Sequence, residues 1–142
     1  MGKTSRTKGA KGEREFCKVL SEELDFLGVD SALSRNLSQT RDGGHDIAGL
    51  GQFAIEVKRA AVADVRSWWA QAVMQADDAG KFPVLAYRLD RRSWRVVMHI
   101  NDITHPDFAL SANDGHEFTV EIGLALFAQV VADRFKDQRE AA

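Results

Sequence analysis

The chain has little of what usually marks a function class at first sight. It carries one cysteine, Cys17, in 142 residues. A single thiol forms no internal disulfide and cannot build a zinc site alone. The chain therefore reads as a protein of a reducing, cytoplasmic compartment, with Cys17 a small core residue in an apolar helical pattern. No apolar run approaches the roughly 20 residues of a membrane span. The N-terminal stretch is basic and polar and lacks an apolar h-region, so a secretory signal is not expected. There is no glycine-rich phosphate loop, which argues against a stand-alone enzyme of nucleotide metabolism. No internal repeat, linker or low-complexity tract is present. The formal net charge of −2 argues against indiscriminate nucleic-acid binding.

What is present suits one globular domain. Apolar residues make up 44% of the chain and charged residues 28%, ordinary values for a soluble protein with a real core. The charge is polarised. Residues 1–18 hold six basic against two acidic residues, whereas residues 61–142 hold nine basic against twelve acidic. Residues 1–10 read as a flexible basic arm, suited to phosphate contact or simply solvated, and residues 11–142 as the folded domain. A helix is expected from about Gly12 to Leu27, with Phe16, Val19, Leu20, Leu24 and Leu27 as its stripe. A short strand near Ser31–Arg35 and a polar loop over 36–44 follow. A second helix is expected over Asp64–Ala79, with Gly80 as its cap. Strands then come at Pro83–Leu89, Trp94–Ile100 and near Phe118–Val120. The last helix, about Glu121–Asp137, carries Leu124, Phe127, Val131 and Phe135 as a stripe for core or for dimerisation (the segment 118–137). This order predicts one α/β domain with a mixed sheet flanked by helices.

Residues 44–58 are the most informative stretch. They read as two short strands around a turn at Leu50-Gly51. Side chains two apart on a strand share a face, so Phe53, Ile55 and Val57 point one way and Ala54, Glu56 and Lys58 the other. The second set puts a carboxylate and an ammonium together at the strand's end, with Asp46 across the hairpin. Mg²⁺ is usually held by one or two carboxylates plus water and phosphate. A surface ion pair of Glu56 with Lys58 or Arg59 is the plain alternative. On the first helix Glu13 lies three residues before Phe16, on the core-facing stripe, while Glu15 is turned about 200° away. A buried Glu13 needs a partner: a metal at Asp46 and Glu56, Arg14, Lys58, or a capping role.

The pattern Asp46 … Glu56-Val57-Lys58 resembles the PD-(D/E)xK nuclease superfamily. Lys8-Gly9-Ala10-Lys11-Gly12-Glu13-Arg14-Glu15-Phe16 is similar to the opening of the archaeal-type Holliday-junction resolvases. Ser34-Arg35 and Gln71 resemble that family's arginine on the following strand and its glutamine on the next helix. The resemblance implies a restriction-endonuclease-like fold. It also implies Mg²⁺, with Mn²⁺ as a substitute, held by Asp46, Glu56, the Val57 carbonyl and Glu13. Lys58 would act on the attacking water, Gln71 would orient that water or the scissile phosphate, and Arg14 and Arg35 would contact DNA backbone. Lys8, Lys11 and Arg41 are further DNA-binding candidates. The implied enzyme is a homodimer cutting four-way junctions symmetrically. Two departures stand out: His45 replaces the usual proline, and the loop 36–44 carries only Arg41 as a base. Two other functions remain open, a nuclease of the same fold acting on flaps, ends or one duplex sequence, and a non-catalytic DNA-binding module. Of the two tryptophans opening the second helix, one joins the stripe of Val65, Ala72 and Ala76 and the other shares a face with Gln71 and Gln75. Arg91 and Arg92 read as a solvated hairpin tip. The small size fits a bacteriophage or mobile-element protein, although no residue shows it.

Overall fold

The computed structural model describes residues 2–35, 46–103 and 115–141, with side chains from residue 9 to residue 135 within them. Helix α1 (Gly2–Phe26) is followed by β1 (Ser34–Arg35), β2 (Ile47–Ala48) and β3 (Phe53–Ala60). Then come α2 (Val65–Ala79), β4 (Phe82–Leu89), β5 (Arg95–His99), β6 (Thr119–Gly123) and α3 (Leu124–Ala141), with short 3-10 turns at Ile100–Asp102 and His116–Phe118. Among the described residues the strands form one sheet in sequential order, β1 to β6. The pair β3–β4 is parallel and the others are antiparallel. A parallel pair cannot be joined by a tight turn, and α2 makes that crossover. The sheet is mixed and flanked by helices, as expected.

The helices cover both faces. Phe16, Leu20 and Leu24 recur every four residues along α1, are fully buried, and pack with Phe127 and Val131 of α3 on Ile55, Val84, Val96 and Met98. Each such side chain contributes about 1.5–3 kcal/mol by burial. On the opposite face Trp69 and Ala72 of α2 pack on Leu85, Tyr87 and Val97. Strand β3 is therefore buried on both sides through Val57. Its second face, Ala54 and Glu56, lies beneath α2 instead of facing solvent. Trp69 is the tryptophan on the apolar stripe, and Trp68 sits half-buried with its ring centroid 5.7 Å from that of Tyr87. Cys17 is half-buried against the main core, and burial, with the charge of Glu13, pushes its thiol up to about 11.

Two expectations need correction. Residues 2–10 are helical, so the segment read as an arm continues α1. Once a helix is nucleated, each added residue gains a hydrogen bond at little further cost, and this outweighs Gly9 and the lack of an apolar anchor. The last helix starts at Leu124 because Glu121–Gly123 pair with Arg95–Val97 in the β5–β6 ladder. The stripe on α3 lies largely in the chain's own core, Phe127 and Val131 fully so. No helix among the described residues is long and apolar enough to cross a membrane.

Gly80 ends α2 at φ 65°, as its cap requires. The hairpin between β2 and β3 depends on Gly49, at φ 102°, where an added Cβ would overlap the Ala32 carbonyl oxygen. Replacing Gly49 by Ala combines left-handed strain with a backbone clash and should cost about 2–4 kcal/mol, read as a lower urea midpoint.

Candidate active site

The site forms where β2 ends and β3 continues. Strand β2 pairs with β3 at Ile47, opposite Ile55. Asp46, one residue earlier, sits in a bend whose N–H donates to the Ile55 carbonyl at 2.8 Å. Its Oδ2 accepts the Val57 N–H at 2.7 Å. In an extended strand a residue's N–H and C=O project to the same edge, so the Val57 carbonyl faces this opening too. Helix α1 delivers Glu13 from above, and α2 delivers Gln75.

Glu13, Asp46 and Glu56 are 7%, 7% and 4% exposed. Glu13 Oε2 accepts from Arg35 Nε at 2.6 Å. Arg35 is thus the cationic partner that Glu13 required, whereas Arg14 is exposed on α1. Lys58 Nζ stands 3.2 Å from Glu56 Oε1. With Glu56 this deeply buried, the pair is no surface salt bridge. Glu56 Oε2 is buried and has no hydrogen-bond partner among the described residues.

The acids perturb one another. Burial, then the charge of Glu56, raises Asp46 to about 8; the Val57 N–H opposes this, Glu13 adds to it, and Lys58 opposes it. Glu56 is also raised, first by burial, against the charge and hydrogen bond of Lys58; Glu13 raises it and a Gln75 hydrogen bond lowers it. Among the described residues no three His, Cys, Asp or Glu side chains form a ready cation cage. The donor chemistry nevertheless fits a hard divalent ion. Two buried carboxylates repel each other, one has an unbonded oxygen, and a carbonyl faces the same opening. Mg²⁺ commonly takes two carboxylates and completes its shell with water.

The structure therefore brings together Glu13, Asp46, Glu56, Val57, Lys58 and Arg35. Gln71 lies on α2 one turn before Gln75, on the same face, but Gln75 is the residue that reaches Glu56. Gln75 shares a face with Gln71 in any helical projection, and that was the available signal. Lys11 is exposed on α1. The side chain of Lys8, and Arg41 and His45 altogether, lie outside the described residues.

A family model described as "Phage putative PDDEXK endonuclease" matches residues 4–121. The chain belongs to this family. It is a PD-(D/E)xK nuclease, a DNA endonuclease by family, and such enzymes generally use divalent metal ions. No curated protein matches its sequence. Among solved structures it is similar to Hjc, a Holliday junction resolvase from Archaeoglobus fulgidus, with a TM-score of 0.52 at 20% identity over 86% of this chain and 96% of that one. This likeness shows the fold, a restriction-endonuclease-like sheet with flanking helices.

Acids whose folded pKa is raised hold protons that the unfolded chain releases. The metal-free nuclease should lose stability as pH rises from about 4 through 8. Asp46→Asn keeps an oxygen for the Val57 N–H and removes the charge. It should flatten this decline and melt later than wild type at pH 8, a gain of about 1–3 kcal/mol. Melting curves in EDTA from pH 5 to 8.5 measure it; parallel slopes for the two proteins would refute the electrostatic account.

Proposed function

We propose that this nuclease is a Mg²⁺-dependent, structure-specific endonuclease and, within that class, a resolvase that cuts four-way DNA junctions symmetrically as a homodimer. The observation that carries the catalytic part is the buried Asp46–Glu56 pair with Lys58 at 3.2 Å from Glu56. Asp46, Glu56, the Val57 carbonyl and Glu13 would hold the cation. A bound divalent ion acidifies water and neutralises charge on a phosphoryl oxygen. Lys58 offers an ammonium to the attacking water or to the phosphoryl oxygens. Gln75 steadies Glu56 and, with Gln71 beside it, presents amides toward the scissile phosphate. Arg35 positions Glu13 and keeps other guanidinium N–H groups for DNA. Lys8, Lys11, Arg14 and Arg41 supply backbone contacts.

The junction as substrate is supported by the fold shared with Hjc across nearly all of that chain. A second reading, cleavage of flaps, ends or a specific duplex, is favoured by one fact: the family's description speaks of an endonuclease and of no branched substrate.

Synthetic four-way junction, flap and linear duplex, each with Mg²⁺ or EDTA, separate these readings. Paired symmetric nicks in the junction, lost in EDTA and with Asp46→Asn, are expected. Cuts confined to flap or duplex would move the substrate while keeping the site. Cleavage by Asp46→Asn at the wild-type rate would end the catalytic assignment.

Variants grade the roles. Lys58→Ala should lower the single-turnover rate about 10²–10³-fold. Gln75→Ala should cost more than Gln71→Ala, because Gln75 is the one in reach of Glu56. The reverse order would return the role to Gln71.

A further inference from the structure

We propose that the β4–β5 hairpin is a second DNA contact that grips the phosphate backbone a few nucleotides from the scissile bond. The ligand class rests on the nuclease reading above; the location rests on the hairpin itself. Arg88, Arg91, Arg92 and Arg95 fall within eight residues. Two of them fasten the hairpin's base. Arg88 pairs with Glu15 and donates from Nε to the Arg92 carbonyl at 2.7 Å, and Arg95 Nε pairs with Glu121 at 3.2 Å. The other two, Arg91 and Arg92, are exposed at the tip, and among the described residues no carboxylate pairs with either. A fixed base with two unpaired guanidinium groups is a preorganised anion contact.

The backbone points the same way. The Arg92 N–H closes the turn on the Leu89 carbonyl at 3.0 Å. Arg91 is then the third residue of the turn, at φ 62°, and is the one non-glycine residue at positive φ among the described residues. That position favours glycine or asparagine. An arginine held there disfavours the turn locally, so its value lies in the guanidinium and not in the turn.

The position is right for a strand leaving the active site. The Asp90 N–H donates to the Ala60 carbonyl at 3.1 Å, which joins the hairpin to the end of β3 two residues past Lys58. Lys58 is opposite Tyr87 in the parallel register. With about 4.8 Å between strands and 3.3 Å per residue, Arg91 at the tip lies roughly 14 Å from Lys58. At about 3.4 Å per nucleotide along one strand, this is roughly four nucleotides away.

Fluorescence anisotropy of the full chain in EDTA, against a labelled four-way junction and a duplex over a KCl series, tests the contact. For Arg91→Gly/Arg92→Ala the log–log salt slope should shrink by about 2, near 1 for each phosphate no longer neutralised, with at least tenfold weaker binding at low salt. Arg91→Lys should keep the wild-type slope. Lys81→Ala, at the far end of β4, should also keep it. Arg91→Gly alone should melt no earlier than wild type, and Arg92→Ala, outside the left-handed position, repeats the measurement should the double variant fold poorly. An unchanged slope and affinity in the double variant would overturn the proposal and leave the nuclease reading intact. If wild type binds DNA and the slope shrinks, yet no substrate is cut with Mg²⁺, the hairpin's role in binding stands and the catalytic reading falls.

Discussion

The site depends on the Val57 N–H bond to Asp46 Oδ2. Strand β2 is two residues long, and its one ladder pair with β3, Ile47 opposite Ile55, is extended by the Asp46 N–H on the Ile55 carbonyl. The Asp46 side chain takes over where a backbone carbonyl would have continued the pairing. This substitution does two things together. It closes the sheet structurally, and it leaves an opening between β2 and β3 into which the carboxylates project. A hydrogen bond to the charged form also lowers the carboxyl's pKa, so the tie opposes the burial that raises it. The rest of the fold converges on that opening: α1 supplies Glu13, the crossover α2 supplies Gln75, and the parallel partner β4 fixes β3 in register.

Two carboxylates on one turn of α1 serve separate ends. Glu13 joins the acidic cluster through Arg35. Glu15 faces the other way and gathers cations, Arg59 at 2.7 Å and also Arg88, and accepts the Trp94 indole N–H at 3.2 Å. Gly12 makes room for this, since a Cβ there would lie 2.7 Å from Arg59 Cγ. The alternation of β3 then sorts the charges. Glu56 and Lys58 lie on the α2 face, and Arg59 lies on the α1 face, held by Glu15. The positive charge adjoining the site is thus drawn away from Glu56, and Lys58 is left as its cation.

The legible parts of the chain were those decided locally. The period-two pattern of Phe53–Lys58, the cap at Gly80 and the stripe of α1 each depend on neighbours in sequence, and each stands close to where it was expected. The Asp46, Glu56 and Lys58 cluster was legible because a hairpin and a strand face suffice to bring it together. Partners contributed by distant elements were not. Glu13 meets Arg35 across 22 residues and Gln75 meets Glu56 across a crossover, and no local periodicity encodes either contact. The helical start at Gly2 and the late start of α3 were misread for the opposite reason. There, continuation of an existing helix and the β5–β6 ladder overrode the composition of the segment itself.

The inward use of cations explains how a chain of net negative charge can act on DNA. Buried carboxylates beside a phosphodiester would repel it unless neutralised, and protons and a divalent cation compete for the same oxygens. Arg35 and Arg59 are committed to Glu13 and Glu15, so they mainly balance the fold's own acids. Most of the positive charge offered to a duplex then comes from residues without carboxylate partners. Among the described residues these include exposed Lys11, Arg14 and Lys18 on α1, and Arg91 and Arg92 at the β4–β5 tip. Net charge averages this arrangement away, whereas a phosphate backbone responds to charge within about a Debye length, roughly 8–10 Å. On that scale the acids of the opening meet Lys58 and Arg35, and the unpaired cations lie farther out, where a DNA strand would meet them.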